Sequence, residues 1–269
     1  DSINDFPENC SSPVQTPAQS NLFEIKPKSI LLPKDKKDIL HSITQRLLYI
    51  GKRARPDILV PISFLTTWVT KSTHQDWEKL RRLLRYLSGT VNMELTLSID
   101  NLTIIKTWVD AAFATHEDMR SHTGGVIMMG KGALCASSKR QKLNTNSSTE
   151  AELVRVGDFL PQTVWTKNFV KEQGYKVTKN IYCQDNMSAM QMERNSRQSA
   201  GPRSRYPDIR YFYQRLDPKR RHQFDLLSNG KDGDRFFHQA TTGRTIQTFQ
   251  RCCHGDYSSQ LPQGSGSRT

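Results

Sequence analysis

The spacing of apolar residues divides the chain into two parts. In the first part, Ile39, Ile43 and Leu47 recur every four residues, which places apolar side chains on one face of a helix. In the second part, segment 102–114 is rich in β-branched and aromatic residues, a composition that favours a strand. We therefore predict a small helical module over residues 36–90, followed by a sheet domain.

The order of elements in the second part predicts an α/β fold. Gly130 and Gly132 form a hairpin turn between two further strands. Polar capping residues at 147–149 start a helix that runs toward Gly174, with a kink at Pro161. "VTKNIYCQDN" then supplies a fourth strand and "MSAMQMER" a second helix. The order β-β-β-α-β-α implies a mixed sheet covered by helices.

The positive charge of the chain fits a polyanionic partner and plain solubility equally well. Lys and Arg outnumber Asp and Glu by 39 to 26, which gives a formal net charge of +13 and suits nucleic acid better than a membrane surface. The five cysteines show no CxxC pair, so neither a disulfide framework nor a zinc site is supported, and a reducing compartment is indicated. No apolar run reaches the roughly 20 residues that a membrane span needs.

The two ends of the chain are expected to contribute little core. Hydrophobic residues make up 35% of the chain, which is low for a fully packed globule, and residues 1–35 are rich in Asn, Ser, Pro and Gln. We predict an extended lead-in with little structure there. The first residue is Asp rather than Met, which suggests a fragment of a longer protein.

Three carboxylates lie on elements that can meet in such a sheet. Asp110 is on the first strand, Asp185 ends the fourth strand, and Glu152 lies one turn inside the helix. If they converge, their repulsion requires cations, and two Mg²⁺ ions would satisfy it. Taken singly, they are equally explained as a turn acid, a strand-end cap and a solvated helix residue. Glu150 and Glu152 together could also simply favour the positive end of the helix dipole.

Several motifs resemble a known family. "WVDAAFATHEDMRSHTGGVIMMGKGALCASSKRQKLNTNSSTEAELV" and "YCQDNMSA" resemble the RNase H domain of copia-type retrotransposon polyproteins. Upstream, "LLYIGKRARPDILVPISFLTTWV" and "DWEKLRRLLRYLSGT" resemble the segment that connects the polymerase palm to that domain. The resemblance covers roughly residues 16–212. It implies an RNase H fold, two Mg²⁺ ions, cleavage of RNA in RNA/DNA hybrids, and an intracellular location in cytoplasmic virus-like particles with a nuclear phase.

The resemblance also assigns site residues. The catalytic, metal-ligating roles pass to Asp110 in "WVDA", to Asp185 in "QDNMSA", and to one glutamate of "STEAEL". Glu152 is the ligand we favour because apolar helix residues follow it directly, whereas Glu150 lies in the capping turn. Two polar residues of the same motif either contact the substrate backbone or cap the helix: Asn186 and Ser188.

The resemblance ends in the last quarter of the chain. The family pattern "RTKHIDIRY" reads "RSRYPDIRY" here, and Arg235 and Phe236 stand where the family has its fourth carboxylate. The family's fifth strand, "YxPT" turn and final helix are missing. Dropping one base from codons for "DRFFHQATTG" gives "TDFFTKPLQ", and the same frame upstream permits "INLIYCPTE", which are the missing motifs. We predict a truncated RNase H-like domain at 100–212 and an out-of-frame, largely disordered tail at 213–269.

These observations lead to three functional hypotheses. The first is a fragment of a Pol polyprotein that hydrolyses RNA in RNA/DNA hybrids, impaired by the lost acid and working with the remainder of the polyprotein. The second is a non-catalytic, basic nucleic-acid-binding remnant. The third, an integrase or other nuclease of the same fold, is weakened by the polymerase-connection match. The helix over 77–87 also carries a basic face, for which solvation is a simpler explanation than binding of a partner. Its residues are Lys79, Arg81, Arg82 and Arg85.

Overall fold

The computed structural model describes residues 2–26, 28–99, 101–183 and 224–227. Its helices are α1 (Lys34–Arg53), a 3₁₀ turn (Pro56–Ile58), α2 (Leu59–Thr66), α3 (His74–Gly89) and α4 (Ser148–Glu172). Its strands are β1 (Ile104–Ala112), β2 (His122–Met128), β3 (Cys135–Arg140), β4 (Lys179–Cys183) and β5 (Phe224–Leu227). Among these described residues, no helix combines the length and the apolar character that crossing a membrane requires.

Helices α1 to α3 form the helical module that the apolar spacing predicts. Of the periodic residues, Ile43 and Leu47 of α1 are buried in one core with Trp77 of α3, and Ile39 is partly buried against the same core. Helix α3 begins at a capping box, in which Thr73 and the carboxylate of Asp76 satisfy each other's backbone N–H groups. Helices α1 and α3 therefore pack through one apolar face each, whereas α2 is buried along nearly its whole length.

The amino-terminal segment requires a correction to the sequence interpretation. Residues 2–26 contain no helix or strand, as expected, but they are packed rather than an extended lead-in, because Phe6, Cys10 and Leu22 are buried. Phe6 stacks on Trp77 with ring centroids 4.5 Å apart. Isolated apolar residues in a polar segment carry no periodicity, so sequence reasoning had no signal for this packing.

The sheet has the strand order β3-β2-β1-β4-β5. β1 pairs with β2, and β2 with β3, in antiparallel fashion, whereas β1 pairs with β4 in parallel. The predicted turn between β2 and β3 contains Gly132 at φ +76°, where a side chain would be strained. This confirms the predicted α/β class, an RNase H-like mixed sheet preceded by a helical module.

Helix α4 follows β3 and precedes β4 in the chain, and it packs on one face of the sheet. Val156, Phe159 and Leu160 are buried against Val109 of β1. Gly125 of β2 permits this close approach, because a Cβ atom there would lie 2.5 Å from the ring of Phe159. The helix continues through Pro161, where a kink was predicted.

The fifth strand corrects a second expectation. Sequence reasoning found no fifth strand, yet β5 pairs in parallel with β4 from Asn180 opposite Phe224 to Cys183 opposite Leu227. A parallel edge with unpaired N–H and C=O groups favours any nearby extended segment that can pair with it, and the apolar sequence "FDLL" is suited to that position. The helix predicted at "MSAMQMER" lies outside the described residues. So does the predicted tail at 213–269, apart from the residues of β5.

Candidate carboxylate site on the sheet

Three local features fix the positions of the two acids that the structure describes. Asp110 lies on β1 directly opposite Gly124 of β2. The start of α4 is capped by the Ser147 hydroxyl, which accepts a hydrogen bond from the Glu150 N–H at 3.1 Å. The buried side chain of Gln141 donates to the Thr123 hydroxyl at 2.8 Å. It also donates to the Ala151 carbonyl at 2.9 Å, and so holds the first turn of α4 against β2.

A buried arginine joins the two acids. Nη1 of Arg155 lies 3.5 Å from Oδ1 of Asp110, and Nη2 of Arg155 forms an ion pair with Oε2 of Glu152, one helical turn away. The Arg155 side chain is fully buried, while those of Glu152 and Asp110 are 7% and 17% exposed. One positive charge therefore lies between two carboxylates, of which Asp110 is the more exposed.

The predicted site residues separate into three groups. Asp110 and Glu152 are brought together at Arg155. Glu150 belongs to the cap, because its carboxylate accepts a hydrogen bond from the Asn146 N–H at 2.7 Å. The remaining predicted residues lie outside the described part of the chain: Asp185, Asn186 and Ser188.

Sequence reasoning missed Arg155. The signal that could have found it is its spacing, because residues three apart on a helix lie on one face, so an inward Glu152 implies an inward Arg155.

The expected pair of Mg²⁺ ions does not fit this arrangement. Two carboxylates are suitable oxygen ligands for Mg²⁺, but the Arg155 guanidinium contacts both of them. A divalent ion and a unit positive charge about 4 Å apart repel by about 8 kcal/mol at an effective dielectric constant of about 20. Among the described residues, no group of three or more His, Cys, Asp or Glu side chains could hold a metal ion.

Basic side chains lie near the site on the outer strand. Lys139 of β3 is in register with Thr123 of β2, which pairs with Ala111, the neighbour of Asp110. Lys139 and the following Arg140 and Lys142 are exposed. Exposed cations along one sheet edge can contact the phosphates of a nucleic acid.

A second polar cluster joins the helical module to the sheet. Oγ of Ser63 on α2 lies 2.9 Å from Oγ of Ser138 and 3.3 Å from Nε2 of His122. Nδ1 of His122 lies 3.0 Å from Nε2 of His116. Burial lowers the pKa of His116 to about 4 and that of His122 to about 3. Both rings are therefore neutral at pH 7, and the cluster is a structural joint.

The basic face of α3 is not simply solvated. The Lys79 ammonium donates to the Glu24 carbonyl at 2.9 Å and lies 4.6 Å from the ring centroid of Phe64. Its pKa is lowered to about 8 by burial. Arg82 and Arg85 donate to Thr16 and to the Ser12 carbonyl. The amino-terminal segment therefore covers much of this face.

Comparison with known proteins gives the chain its relatives. It is 29% identical over 209 residues, 76% of its length, to the retrovirus-related Pol polyprotein from transposon TNT 1-94 of Nicotiana tabacum. The chain is a relative of retrotransposon Pol polyproteins. It is also 33% identical over 138 residues, half of its length, to the Pol polyprotein from transposon RE1 of Arabidopsis thaliana. A Ty5-1 transposon protein of Saccharomyces cerevisiae is 31% identical over 144 residues, 52% of the chain.

The chain corresponds to a small part of its Pol relatives. It spans 15% of the TNT 1-94 polyprotein, 9% of the RE1 polyprotein and 47% of the Ty5-1 protein. No protein-family model matches the chain, and no solved structure gives a significant match. The relatives therefore support a fragment of a Pol polyprotein.

Proposed function

We propose that this chain is the connection and RNase H part of a copia-type Pol polyprotein and that it binds RNA/DNA hybrids. The observation that carries the proposal is the meeting of Asp110 on β1 and Glu152 on α4 at Arg155, within an RNase H-like sheet. These are two of the positions to which the resemblance assigns the acids. A net charge of +13 supports a polyanionic ligand. The rest of the polyprotein, including its polymerase palm, is the proposed protein partner, within intracellular particles.

Hydrolysis by this chain is proposed to be weak or absent. In RNase H chemistry, bound Mg²⁺ supplies an activated water and stabilises the leaving oxygen. The proposed ligands are Asp110, Glu152 and Asp185, but the Arg155 guanidinium contacts the first two.

The second candidate function is binding of nucleic acid without any cleavage. It is favoured by the same guanidinium, because an arginine beside two acids offsets part of the negative charge that would attract Mg²⁺. The exposed cations at the end of β3 support both candidates equally: Lys139, Arg140 and Lys142. Cleavage is therefore the measurement that separates the two.

Fluorescence anisotropy with a labelled RNA/DNA hybrid tests binding. We expect the full chain to bind the hybrid, with an affinity that falls steeply as salt is raised, because phosphate contacts release counterions. Lys142→Gln should weaken binding and reduce the salt dependence. Lys52→Gln is the matched control, since Lys52 is also exposed but lies in the last turn of α1 in the helical module. Absence of binding at low salt would contradict the proposal.

A cleavage assay on the same hybrid in Mg²⁺ tests the proposed impairment. We expect little or no product. Robust Mg²⁺-dependent cleavage that Asp110→Asn abolishes would contradict the impairment and support an intact RNase H. Cleavage that survives Asp110→Asn would indicate a contaminating nuclease, which a repeat purification of the same variant would remove.

A further inference from the structure

We infer that the Arg155 guanidinium is the built-in counter-ion of Asp110 and Glu152 and excludes a divalent cation from the space between them. The inference deepens the proposed function and rests on it in one respect, the assignment of these two acids to a metal site. In this chain the cation between the two acids is the side chain of Arg155.

Burial makes the pairing obligatory. The Arg155 side chain has no exposed surface, and a guanidinium keeps its positive charge throughout the pH range in which proteins fold. A buried charge without a partner is strongly unfavourable. Within the described residues, its ion-pair partners are Asp110 and Glu152, so the fold itself depends on this contact.

The local structure keeps Arg155 in place. Glu152 and Arg155 are three residues apart on α4, and the start of that helix is held to the sheet by Gln141 through Thr123 and the Ala151 carbonyl. Because the helix face is fixed, the guanidinium cannot leave the carboxylates without carrying its charge through buried surroundings. A metal ion would have to displace a cation that is already bound at no cost in translational entropy.

The charge balance gives the direction of the effect. The Arg155 guanidinium places one positive charge beside the two carboxylates, and a neutral residue at position 155 would remove that charge. Divalent cations bind more tightly as the number of charged oxygen ligands rises. Removing the positive charge of Arg155 should therefore create affinity for a divalent cation.

Calorimetric titration with Mn²⁺, in the absence of nucleic acid, tests the inference on the full chain. Arg155→Met keeps a long apolar side chain and removes the charge. We expect Arg155→Met to bind Mn²⁺ at least about tenfold more tightly than the wild type, and the gain to vanish in Arg155→Met/Asp110→Asn. The matched control is Arg120→Met, because Arg120 pairs with exposed Asp118, and it should leave the Mn²⁺ affinity unchanged.

Other outcomes would overturn the inference. Wild-type binding of Mn²⁺ that Asp110→Asn abolishes would show that the guanidinium does not exclude the ion. A folded Arg155→Met protein that binds no more Mn²⁺ than the wild type would show the same. If Arg155→Met does not fold, the wild type and Asp110→Asn decide: equal absence of binding supports the inference, and a difference contradicts it. Failure of the proposed function is separate, because it is read from hybrid binding without Mn²⁺.

Discussion

Two buried arginines, one in each half of the molecule, hold carboxylates in different ways. In the helical module, Nε and Nη2 of Arg55 donate to the two oxygens of Asp57 at 3.0 and 2.8 Å. The remaining Arg55 donors reach the carbonyl and hydroxyl oxygens of Thr90 at 2.8 and 2.7 Å. The Tyr86 hydroxyl donates to Asp57 at 2.8 Å. One guanidinium therefore pairs with one carboxylate, and uncharged groups of Thr90 and Tyr86 form further hydrogen bonds with them.

In the sheet domain, Arg155 faces two acids. Its contacts to Asp110 and Glu152 are ion pairs, and, within the part of the chain that the structure describes, its nitrogens have no partner with full hydrogen-bond geometry. One guanidinium is therefore shared between two carboxylates. A pair with complete hydrogen bonding is typical of a structural ion pair, whereas two acids that share one cation at a partly exposed position are typical of a ligand site.

Breaking the Arg55–Asp57 pair should have the largest effect on stability. Asp57→Asn leaves the buried Arg55 charge without a counter-ion, so we expect the free energy of unfolding to fall by about 3–5 kcal/mol. Chemical denaturation measures it. Asp118→Asn is the control, because Asp118 pairs with Arg120 and Arg140 at the surface, and it should cost less than about 1 kcal/mol. Equal losses of stability in the two variants would show that the buried Arg55–Asp57 pair contributes no more than a surface ion pair.

The effects of removing Asp110 and Glu152 on stability should be strongly coupled, because both acids contact Arg155. Asp110→Asn or Glu152→Gln alone leaves Arg155 one carboxylate, so each should cost about 1 kcal/mol. The double variant leaves the guanidinium unpaired and should cost about 3–5 kcal/mol. A double-mutant cycle measures the difference. Additive losses would mean that the two acids do not share Arg155.

The joint between the two regions should respond to pH. Because burial lowers the pKa of His116 to about 4 and of His122 to about 3, below pH 6.5 the unfolded chain binds protons that the folded chain does not. Stability is therefore lost as pH falls. The nearby charges are Arg140, which also lowers the His116 pKa, and Asp118, which raises it.

We expect a loss of about 2 kcal/mol between pH 6.5 and pH 5.5 for the two histidines together. Denaturation at the two pH values measures it. The variant His116→Gln/His122→Gln is the control, and its stability should change less over the same interval. A wild type and a double variant with the same pH dependence would exclude these rings as its cause.

The cap of α4 should show the smallest effect. Ser147→Ala removes the acceptor of the Glu150 N–H and should cost about 1 kcal/mol. Ser148→Ala, one residue later and exposed, should change stability by a few tenths of a kcal/mol at most. Helix content and denaturation of the two variants compare them directly. If Ser148→Ala is the more destabilising variant, the helix begins elsewhere.

Periodicity predicted the parts of this fold that repeat. The four-residue spacing of Ile39, Ile43 and Leu47 predicted a helix, and the capping residues before Glu150 placed the start of α4 correctly. The burial of Phe6 was not predictable, since a single apolar residue in a polar segment has no period. β5 was missed because its pairing depends on an edge of the sheet that only the assembled fold provides.

The candidate site was predictable only in part. The positions of Asp110 and Glu152 followed from the order of elements, together with the resemblance. Arg155 was not recognised, because in sequence it is one more basic residue in a basic chain. Its burial depends on the face that α4 turns toward β1, which the packing of Phe159 over Gly125 determines.

A crystal structure of the full chain grown with Mn²⁺ would show directly whether Arg155 or a metal ion lies between the two carboxylates. Anomalous scattering locates Mn²⁺ without ambiguity. We expect the Arg155 guanidinium to lie between Asp110 and Glu152, with no anomalous peak between the two carboxylates. An anomalous peak bound by both carboxylates, with Arg155 displaced from them, would show that the guanidinium does not exclude the ion.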